Sequence, residues 1–395
     1  MDVQEKVLVL GLGGAGGRVA GALRALPEAA RFTVAAFDTD KAALERAAAI
    51  DDALKLLGNE QWLNGMGTGG DVVKGQRALS RESARVRELL EGARLAIITG
   101  GLGGGTATGG AAVVARLAHS LGIPAVFVME LPFMFEGAGR VKTADDGIRE
   151  LLEQADAVIA LPNDLLFSVL AAETPFAEAF HMADVELARV ISGVADLLLP
   201  GNLLAADFGD LCHVLKNRKS YAAVGVGVGR GEVPGEACRE ALAGLCDSPF
   251  LGGAAKLKEA DAVLLNLTGG PELTISEVRR TLEAAGSLPG LSARVLVGAN
   301  VRGDCRGQVR LTALAVKFDD RETVARQVAA VSAKPVRRRK VHAAVSGEGA
   351  IQPPLPLPIP TSGIFEGATE TVIDGVNFDL PTFHRKQIVI DTGEA

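Results

Sequence analysis

The chain lacks the residue patterns that mark several common protein classes. Its four cysteines, Cys212, Cys238, Cys246 and Cys305, have no metal-ligand spacing and supply no disulfide framework, so they read as reduced structural thiols. Its five histidines, at positions 119, 181, 213, 342 and 384, form no zinc or catalytic cluster. No apolar run approaches the roughly 18 residues of a membrane span, although 48% of the chain is hydrophobic and its mean hydropathy is +0.24. Basic residues are outnumbered, and the net charge of −7 argues against general nucleic-acid binding. The start, Met1-Asp2-Val3-Gln4-Glu5-Lys6, is polar and carries no signal-peptide pattern. Together these absences imply a soluble, cytoplasmic chain with no direct membrane insertion and no nucleic-acid partner. Its 395 residues imply two or three domains.

What the chain does have is glycine in dense, placed clusters. Gly103-Gly104-Gly105-Thr106-Ala107-Thr108-Gly109 follows the apolar run Leu95-Ala96-Ile97-Ile98-Thr99, read as a buried strand. It precedes Ala111-Ala112-Val113-Val114-Ala115-Arg116-Leu117, read as a helix. A glycine-rich turn between strand and helix lets the backbone approach a phosphate and aims free N–H groups and the positive helix end at it. The hydroxyls of Thr106 and Thr108 add donors.

Along the first half, strand-like runs alternate with helical stretches. Val7–Leu10, Phe32–Phe37, Leu95–Thr99, Ala125–Met129 and Ala157–Leu161 predict a parallel sheet wrapped by helices, with ligands at the carboxyl ends of its strands. A long helix follows, with Thr174 able to cap it and Pro175 suited to its first turn. Phe176, Phe180, Ala183, Leu187, Val190, Ile191, Val194, Leu197 and Leu198 recur every three or four residues and predict one buried face. Pro200-Gly201 ends it. A second α/β region runs from about Tyr221 to Phe318, with strands at 222–228, 262–267, 294–298 and 309–316. Beyond it, Arg337-Arg338-Arg339-Lys340 leads to Pro353-Pro354-Leu355-Pro356-Leu357-Pro358-Ile359-Pro360, an extended, mostly unstructured spacer.

The loop after the first strand, Gly11-Leu12-Gly13-Gly14-Ala15-Gly16-Gly17-Arg18, satisfies the G-x-G-x-x-G fingerprint at Gly11, Gly13 and Gly16, and Asp38 ends the second strand. Alone, that pattern suits a nicotinamide-dependent oxidoreductase. A third glycine loop, Gly65-Met66-Gly67-Thr68-Gly69-Gly70, favours a nucleoside triphosphate, which can be wrapped from several sides. No histidine, lysine or tyrosine constellation suggests hydride chemistry.

These segments resemble, one after another, the motifs of the tubulin/FtsZ superfamily and its bacterial cell-division GTPases, FtsZ. The loop at 103–109 resembles G-G-G-T-G-S/T-G, with Ala107 for the middle glycine. Phe37-Asp38-Thr39-Asp40 resembles N-T-D, and Asn64–Gly70 resembles R-G-L-G-A-G-A. Pro132-Phe133-Met134-Phe135-Glu136-Gly137-Ala138-Gly139-Arg140 resembles P-F-x-F-E-G-x-x-R, and Leu161-Pro162-Asn163-Asp164 resembles I-P-N-D. The resemblance implies a GTP/GDP site built from Gly13, Gly14, Ala15, Gly16, Gly17, Arg18, Asp40, Gly67, Thr68, Gly69, Gly103, Gly104, Gly105, Thr106, Ala107, Thr108, Gly109, Pro132, Glu136, Arg140, Asn163, Phe180 and Asp184. Glu136 and Arg140 then face ribose and phosphate. Asp184, a carboxylate on an otherwise apolar stripe and costly unless paired, then meets guanine N1–H and its exocyclic amine. Phe180 either stacks on the base or packs in the core.

Asp207-Phe208-Gly209-Asp210 resembles the family's N-x-D-F-A-D loop, which enters the nucleotide site of the next subunit. The resemblance makes Asp207 and Asp210 catalytic, near Mg²⁺ and the attacking water, and couples hydrolysis to head-to-tail filaments. Four departures stand out: Ala205 where the loop has asparagine, Ala107, Arg18 for asparagine and Glu130 for threonine. Ala205 predicts slow hydrolysis, and Ala107 a restricted positive φ. A divergent, weakly hydrolysing polymer, or a scaffold whose function is the filament itself, stays open on these grounds. Near the end, Asn377 to Gln387 resembles the tail peptide D-I/L-P-x-F-L-R, with His384 the clear departure. Asp379, Pro381, Phe383 and Arg385 would dock membrane tethers and division regulators.

The expected layout is a Rossmann-like parallel-sheet GTPase domain at 1–173, a central helix at 174–199 and a smaller α/β domain at 200–320. A disordered linker at 321–374 and a docking tail at 375–395 complete it. The site of action is the cytoplasm at the division ring.

Overall fold

A computed structural model describes residues 7–58, 64–168, 173–198, 221–231, 233–290 and 293–317, together with the two-residue strands Val372–Ile373 and Val376–Asn377. The short strands pair antiparallel in a unit of their own; everything through Lys317 belongs to the other unit.

Six strands form the first sheet: β1 (Val7–Leu12), β2 (Phe32–Asp38), β3 (Lys55–Leu57), β4 (Leu95–Gly101), β5 (Ala125–Leu131) and β6 (Ala157–Pro162). They run parallel in the order β3-β2-β1-β4-β5-β6. Every residue of β1 is buried, which is why the strand reads as an unbroken apolar run. Its side chains still alternate: Val7 and Val9 enter one core, while Leu8, Leu10 and Leu12 enter the core on the opposite face. The chain leaves β1 toward β2 on one side and returns as β4 on the other, so the carboxyl ends of β1 and β4 open a crevice at a topological switch point.

Around this sheet lie α1 (Gly13–Arg24), α2 (Lys41–Arg46), α3 (Val72–Arg81), α4 (Ser83–Leu90), α5 (Gly105–Leu121), α6 (Ala138–Gln154) and α7 (Phe176–Leu198). The helix α7 begins at Phe176, one residue later than the capping pattern predicts, with the Pro175 carbonyl accepting from Ala179 N at 2.9 Å. Its burial exceeds the single stripe expected. Ala183, Leu187, Val190, Ile191, Val194, Leu197 and Leu198 are buried as predicted, and Ala188, Ser192, Ala195 and Asp196 are buried as well. The reason is position: α7 shares one core with Val7 and Val9 of the first sheet and with Val224, Leu264 and Leu314 of the second.

The second sheet holds β7 (Tyr221–Arg230), β8 (Ala262–Gly269), β9 (Arg294–Val301) and β10 (Gln308–Lys317) in the order β7-β10-β8-β9. Here β10 is antiparallel to β7 and β8, while β8 and β9 are parallel. The helices α8 (Pro234–Asp247), α9 (Ala254–Glu259) and α10 (Ile275–Gly286) accompany it. Two glycines of β7 have a packing role: a side chain at Gly227 or Gly229 would collide with the backbone carbonyl of Ala241 or Ala237 on α8.

A buried ionic network ties the two sheets to α7. Asp196 is 1% exposed and accepts from Arg31, from Arg302 at 3.0 Å and from Arg310 at 2.9 Å. Arg310 also pairs with Glu28, and Ser192 Oγ donates to Glu28 at 2.9 Å. Asn300 donates to the Asp196 carbonyl at 3.2 Å. Removing one partner of such a cluster leaves uncompensated buried charge. Asp196→Ala is expected to lower the unfolding free energy by about 3 kcal/mol or more, whereas Glu259→Ala, at the exposed Lys256 pair, changes it by under about 1 kcal/mol. Urea denaturation of both variants measures the contrast.

Candidate functional site

Two adjoining cavities, of about 570 and 480 Å³, share Gly14, Gly104, Gly105, Thr106 and Arg140 at the carboxyl ends of β1 and β4. Both helices that start there do so without a side-chain cap. The residue before α1 is Leu12 and the residue before α5 is Gly104, and neither supplies a capping oxygen. Asp40 caps α2 and Asp71 caps α3, and Thr274 and Glu277 form a capping box on α10, while α4, α6, α8 and α9 also start without a side-chain cap. The first-turn amides of α1 and α5 are thus left to the cleft, where the helix dipoles favour an anion.

The glycine loops divide into lining and bracing positions. Gly13, Gly14, Ala15, Gly104, Gly105, Thr106 and Ala107 line the cleft, with Asp40, Gly67 and Gly103 at its outer end. Gly103 has φ 91°, and a Cβ there would sit 2.7 Å from the Arg140 carbonyl. Gly16 and Gly109 are instead places of close approach: a side chain would strike the carbonyl of Thr99 or of Val72. Gly17, Thr68, Gly69, Thr108 and Asp184 lie off the lining. The two threonine hydroxyls of the signature loop are engaged by the protein: Thr106 Oγ1 shares a 2.7 Å hydrogen bond with Thr39, and Thr108 Oγ1 accepts from Gly103 N at 2.9 Å. They hold the loop in shape.

Ala107 is where the structure corrects the sequence reading. The helix α5 begins at Gly105, six residues ahead of the run that suggested it, so Ala107 lies in its first turn. Among the described residues only Asn64 is a non-glycine with positive φ. The methyl group packs in the core and imposes no backbone restriction of the kind expected.

At the other end of the cleft the wall is polar and ranges from buried Asn163 to exposed Arg18 and Arg140. Pro132, Glu136, Arg140, Asn163, Phe180 and Arg18 line it. Glu136 accepts from Phe133 N at 2.9 Å and from Arg140 at 2.6 Å, which braces the turn after β5. Phe180 meets Phe133 edge-on with centroids 5.4 Å apart, and the Arg18 guanidinium lies 5.9 Å from its ring. Asp184, 5% exposed, is paired as its burial demands: Arg18 Nε donates to it at 3.0 Å. Burial raises the Asp184 carboxyl from its ordinary value, and Arg18 opposes that shift.

Glu130, which the sequence marks only as a departure, has the most perturbed carboxyl of this wall. It ends the apolar run of β5 and is 4% exposed. Burial, then the charge of Asp184, pushes it up to about 7, against the opposing effects of Arg18 and an Asn163 hydrogen bond. Asp38, the acid of the dinucleotide alternative, uses Oδ1 to accept from the backbone N–H groups of Thr39 and Asp40 at 2.7 and 3.2 Å. Asp207, Asp210 and Ala205, and the tail residues Asp379, Pro381, Phe383 and Arg385, lie outside the described residues. Among the described residues no cluster of three or more His, Cys, Asp or Glu could hold a metal ion, and no helix is long and apolar enough to cross a membrane.

A switch-point cleft with two uncapped helix ends, followed by a long helix and a second mixed sheet, defines a class, the tubulin-like GTPases. The Tubulin/FtsZ family GTPase domain matches residues 6–171, and the FtsZ family C-terminal domain matches residues 220–319. Cell division protein FtsZ of Caulobacter vibrioides is 34% identical over 359 residues, covering 90% of this chain and 68% of that protein. FtsZ of Rickettsia typhi is 34% identical over 319 residues, covering 80% and 68%. An empty FtsZ dimer from M. jannaschii superposes with a TM-score of 0.64 at 28% identity, over 79% of this chain and 88% of that one. The chain belongs to the FtsZ family of GTPases. That membership sets the oxidoreductase alternative aside.

The Glu130 shift has a signed consequence. A carboxyl whose folded pKa lies near 7, against an ordinary 4.5, binds its proton more tightly in the fold. The stability it contributes is present at low pH and lost as pH rises from about 4.5 to about 7, a span of about 3 kcal/mol. Without nucleotide, Glu130→Gln is expected to flatten the decline in stability between pH 5 and 8. Chemical denaturation at both values reads the difference of slopes, and parallel slopes for the two proteins would exclude it.

Proposed function

We propose that this chain is a GTP-dependent, filament-forming bacterial cell-division protein that assembles head-to-tail into the division ring. The observation that carries the reading is the convergence of two uncapped helix N-termini, α1 and α5, on one cleft whose far wall is acidic and aromatic. Such a cleft suits a ligand that is anionic at one end and donor-bearing at the other. In this reading Gly13 to Ala15 and Gly103 to Ala107 hold the phosphates, while Arg18, Asn163, Phe180 and Asp184 face the nucleoside.

Hydrolysis by this design requires little covalent chemistry from the protein. Oriented amides spread the charge that develops on the phosphoryl oxygens, and the attacking water must be held in line. Asp207 and Asp210 of an adjoining subunit orient that water, so that the site is complete only within a filament. Mg²⁺ retains much of its own water and binds largely through substrate phosphates, so it does not require a dedicated cluster of protein ligands. The region 1–173 is the GTP-binding domain, 174–199 the central helix and 200–320 the second domain with the interfacial loop. A linker at 321–374 tethers a tail, 375–395, that docks membrane-bound and regulatory division proteins from the cytoplasm.

GTP turnover per subunit, measured with light scattering across a range of protein concentrations in Mg²⁺, tests the reading. Turnover and scattering that rise together above a threshold support a shared site; concentration-independent turnover without scattering would remove the filament. Ala205→Asn restores a polar group beside the water and is expected to raise turnover, by up to roughly 10²-fold.

A further inference from the structure

Asp38 is a buried carboxylate with no cation to balance it. It ends β2, where the N-T-D motif that this segment resembles has asparagine, and it is 4% exposed. Its Oδ1 is taken up by the backbone, accepting from Thr39 N at 2.7 Å and from Asp40 N at 3.2 Å. The Thr106 hydroxyl also hydrogen-bonds the carboxylate. Oδ2 lies against the first turn of α1, 3.9 Å from the point where a side chain on Gly14 would begin. Every one of these partners is neutral, and the charge felt most is that of Asp40, of like sign. A carboxylate so enclosed is costly until a cation joins it.

Its surroundings say which cation. Asp38 lines the 570 Å³ cavity together with Gly14, Gly104, Gly105 and Thr106, the helix ends that are open to an anion. A carboxylate and a phosphate cannot share one helix end without a positive charge between them. The arginines of that cavity do not supply it: Arg140 is bound to Glu136 at 2.6 Å, and among the described residues Arg46 forms no ion pair with Asp38. Asp40, on the same rim, has no such need, because it is half-buried and its Oδ1 caps α2 through Ala43 N at 3.1 Å. Mg²⁺ binds through one or two carboxylates together with the phosphates of its nucleotide, and one carboxylate facing a phosphate cradle is that donor set. Resting on the nucleotide reading above, we propose that Asp38, through Oδ2, is the protein's ligand to the Mg²⁺ that accompanies the nucleotide, so that this chain takes up the Mg²⁺ complex and rejects the free nucleotide. Without the metal, Asp38 repels the phosphates. Asparagine at this position keeps an acceptor for the two backbone N–H groups and removes the charge, and with it both the repulsion and the ligand.

Calorimetric titration of the full chain with a non-hydrolysable GTP analogue, in Mg²⁺ and again in EDTA, tests the assignment at protein concentrations that give no light scattering. One unit charge beside the phosphates carries roughly tenfold or more in affinity. The wild-type protein is expected to bind the analogue at least roughly tenfold more weakly in EDTA than in Mg²⁺. Asp38→Asn is expected to bind within about threefold under the two conditions, and in EDTA roughly tenfold more tightly than the wild-type protein. Titration of the nucleotide-loaded proteins with Mn²⁺, read from the spin resonance of the free ion, is expected to show a metal affinity roughly tenfold lower in Asp38→Asn. Equal affinity of the wild-type protein in Mg²⁺ and EDTA overturns the proposal while leaving the nucleotide site standing, and it needs no variant to fold. An Mg²⁺ dependence in Asp38→Asn equal to that of the wild-type protein also overturns it, leaving the metal to the phosphates alone. Failure of the wild-type protein to bind the analogue in Mg²⁺ removes the nucleotide reading itself, and this assignment with it.

Discussion

Asp196 is the carboxylate on which the relation between the two sheets depends. It sits on α7 inside a core shared by both sheets, and it gathers arginines from three separate segments: Arg31 before β2, Arg302 after β9 and Arg310 within β10. Three carboxylates, Glu28, Asp196 and Asp304, balance three guanidinium groups, so the cluster can be buried without net charge. Desolvating so many ions gives little net stability over an apolar core. What it supplies is registry, because fork-shaped donors accept only one arrangement of their partners. The apolar contacts of α7 could tolerate sliding by a fraction of a turn; the Asp196 cluster cannot.

The cleft follows a complementary electrostatic plan. Its glycine-loop end has no lysine in the lining and adds two helix termini to the side chains of Arg46 and Arg140. Its other end has Glu130 in the lining and Asp184 behind it, with the guanidinium groups of Arg18 and Arg140 beside them. A polar gradient of this kind orients an elongated ligand before any specific contact forms. It also explains why the phosphate loops are braced internally, by Thr39 with Thr106 and by Thr108 with Gly103. Amides can preorganise a site only if their loop is held by something other than the ligand.

Much of this was legible in the sequence, for identifiable reasons. Parallel strands buried on both faces read as continuous apolar runs, so five strands of the first sheet were anticipated close to their final bounds, and the four strands of the second, mixed sheet were found from their apolar content as well. The three-residue edge strand Lys55–Leu57 is too short for any period to show. The start of α5 was hidden because glycine and threonine are poor helix formers, and there the anion-facing N-terminus requires them despite propensity. The Asp184 carboxylate stood out as a charge on an apolar stripe. Its partner Arg18 did not, since the two are 166 positions apart, and Arg310 and Glu28 are 282 apart. Pairings of that range leave no local trace. The missing counter-ion of Asp38 was equally invisible, because pairing is a property of the assembled cleft.

The two ends of α7 join these themes. Asp184, behind the cleft lining at Arg18, and Asp196, in the interdomain cluster, lie twelve positions apart on one uninterrupted helix, about 18 Å at 1.5 Å per residue. Each is pinned by an ion pair to a different part of the molecule: Asp184 to α1 through Arg18, Asp196 to both sheets through its arginines. A ligand shifts a conformational equilibrium only through contacts that differ between the states, and Arg18, which lines the cleft, is the partner that Asp184 depends on. The helix between the pairs is closely packed, with Leu187, Val190, Ile191 and Val194 buried. The pairing at Asp184 and the registry at Asp196 are therefore carried by one helix.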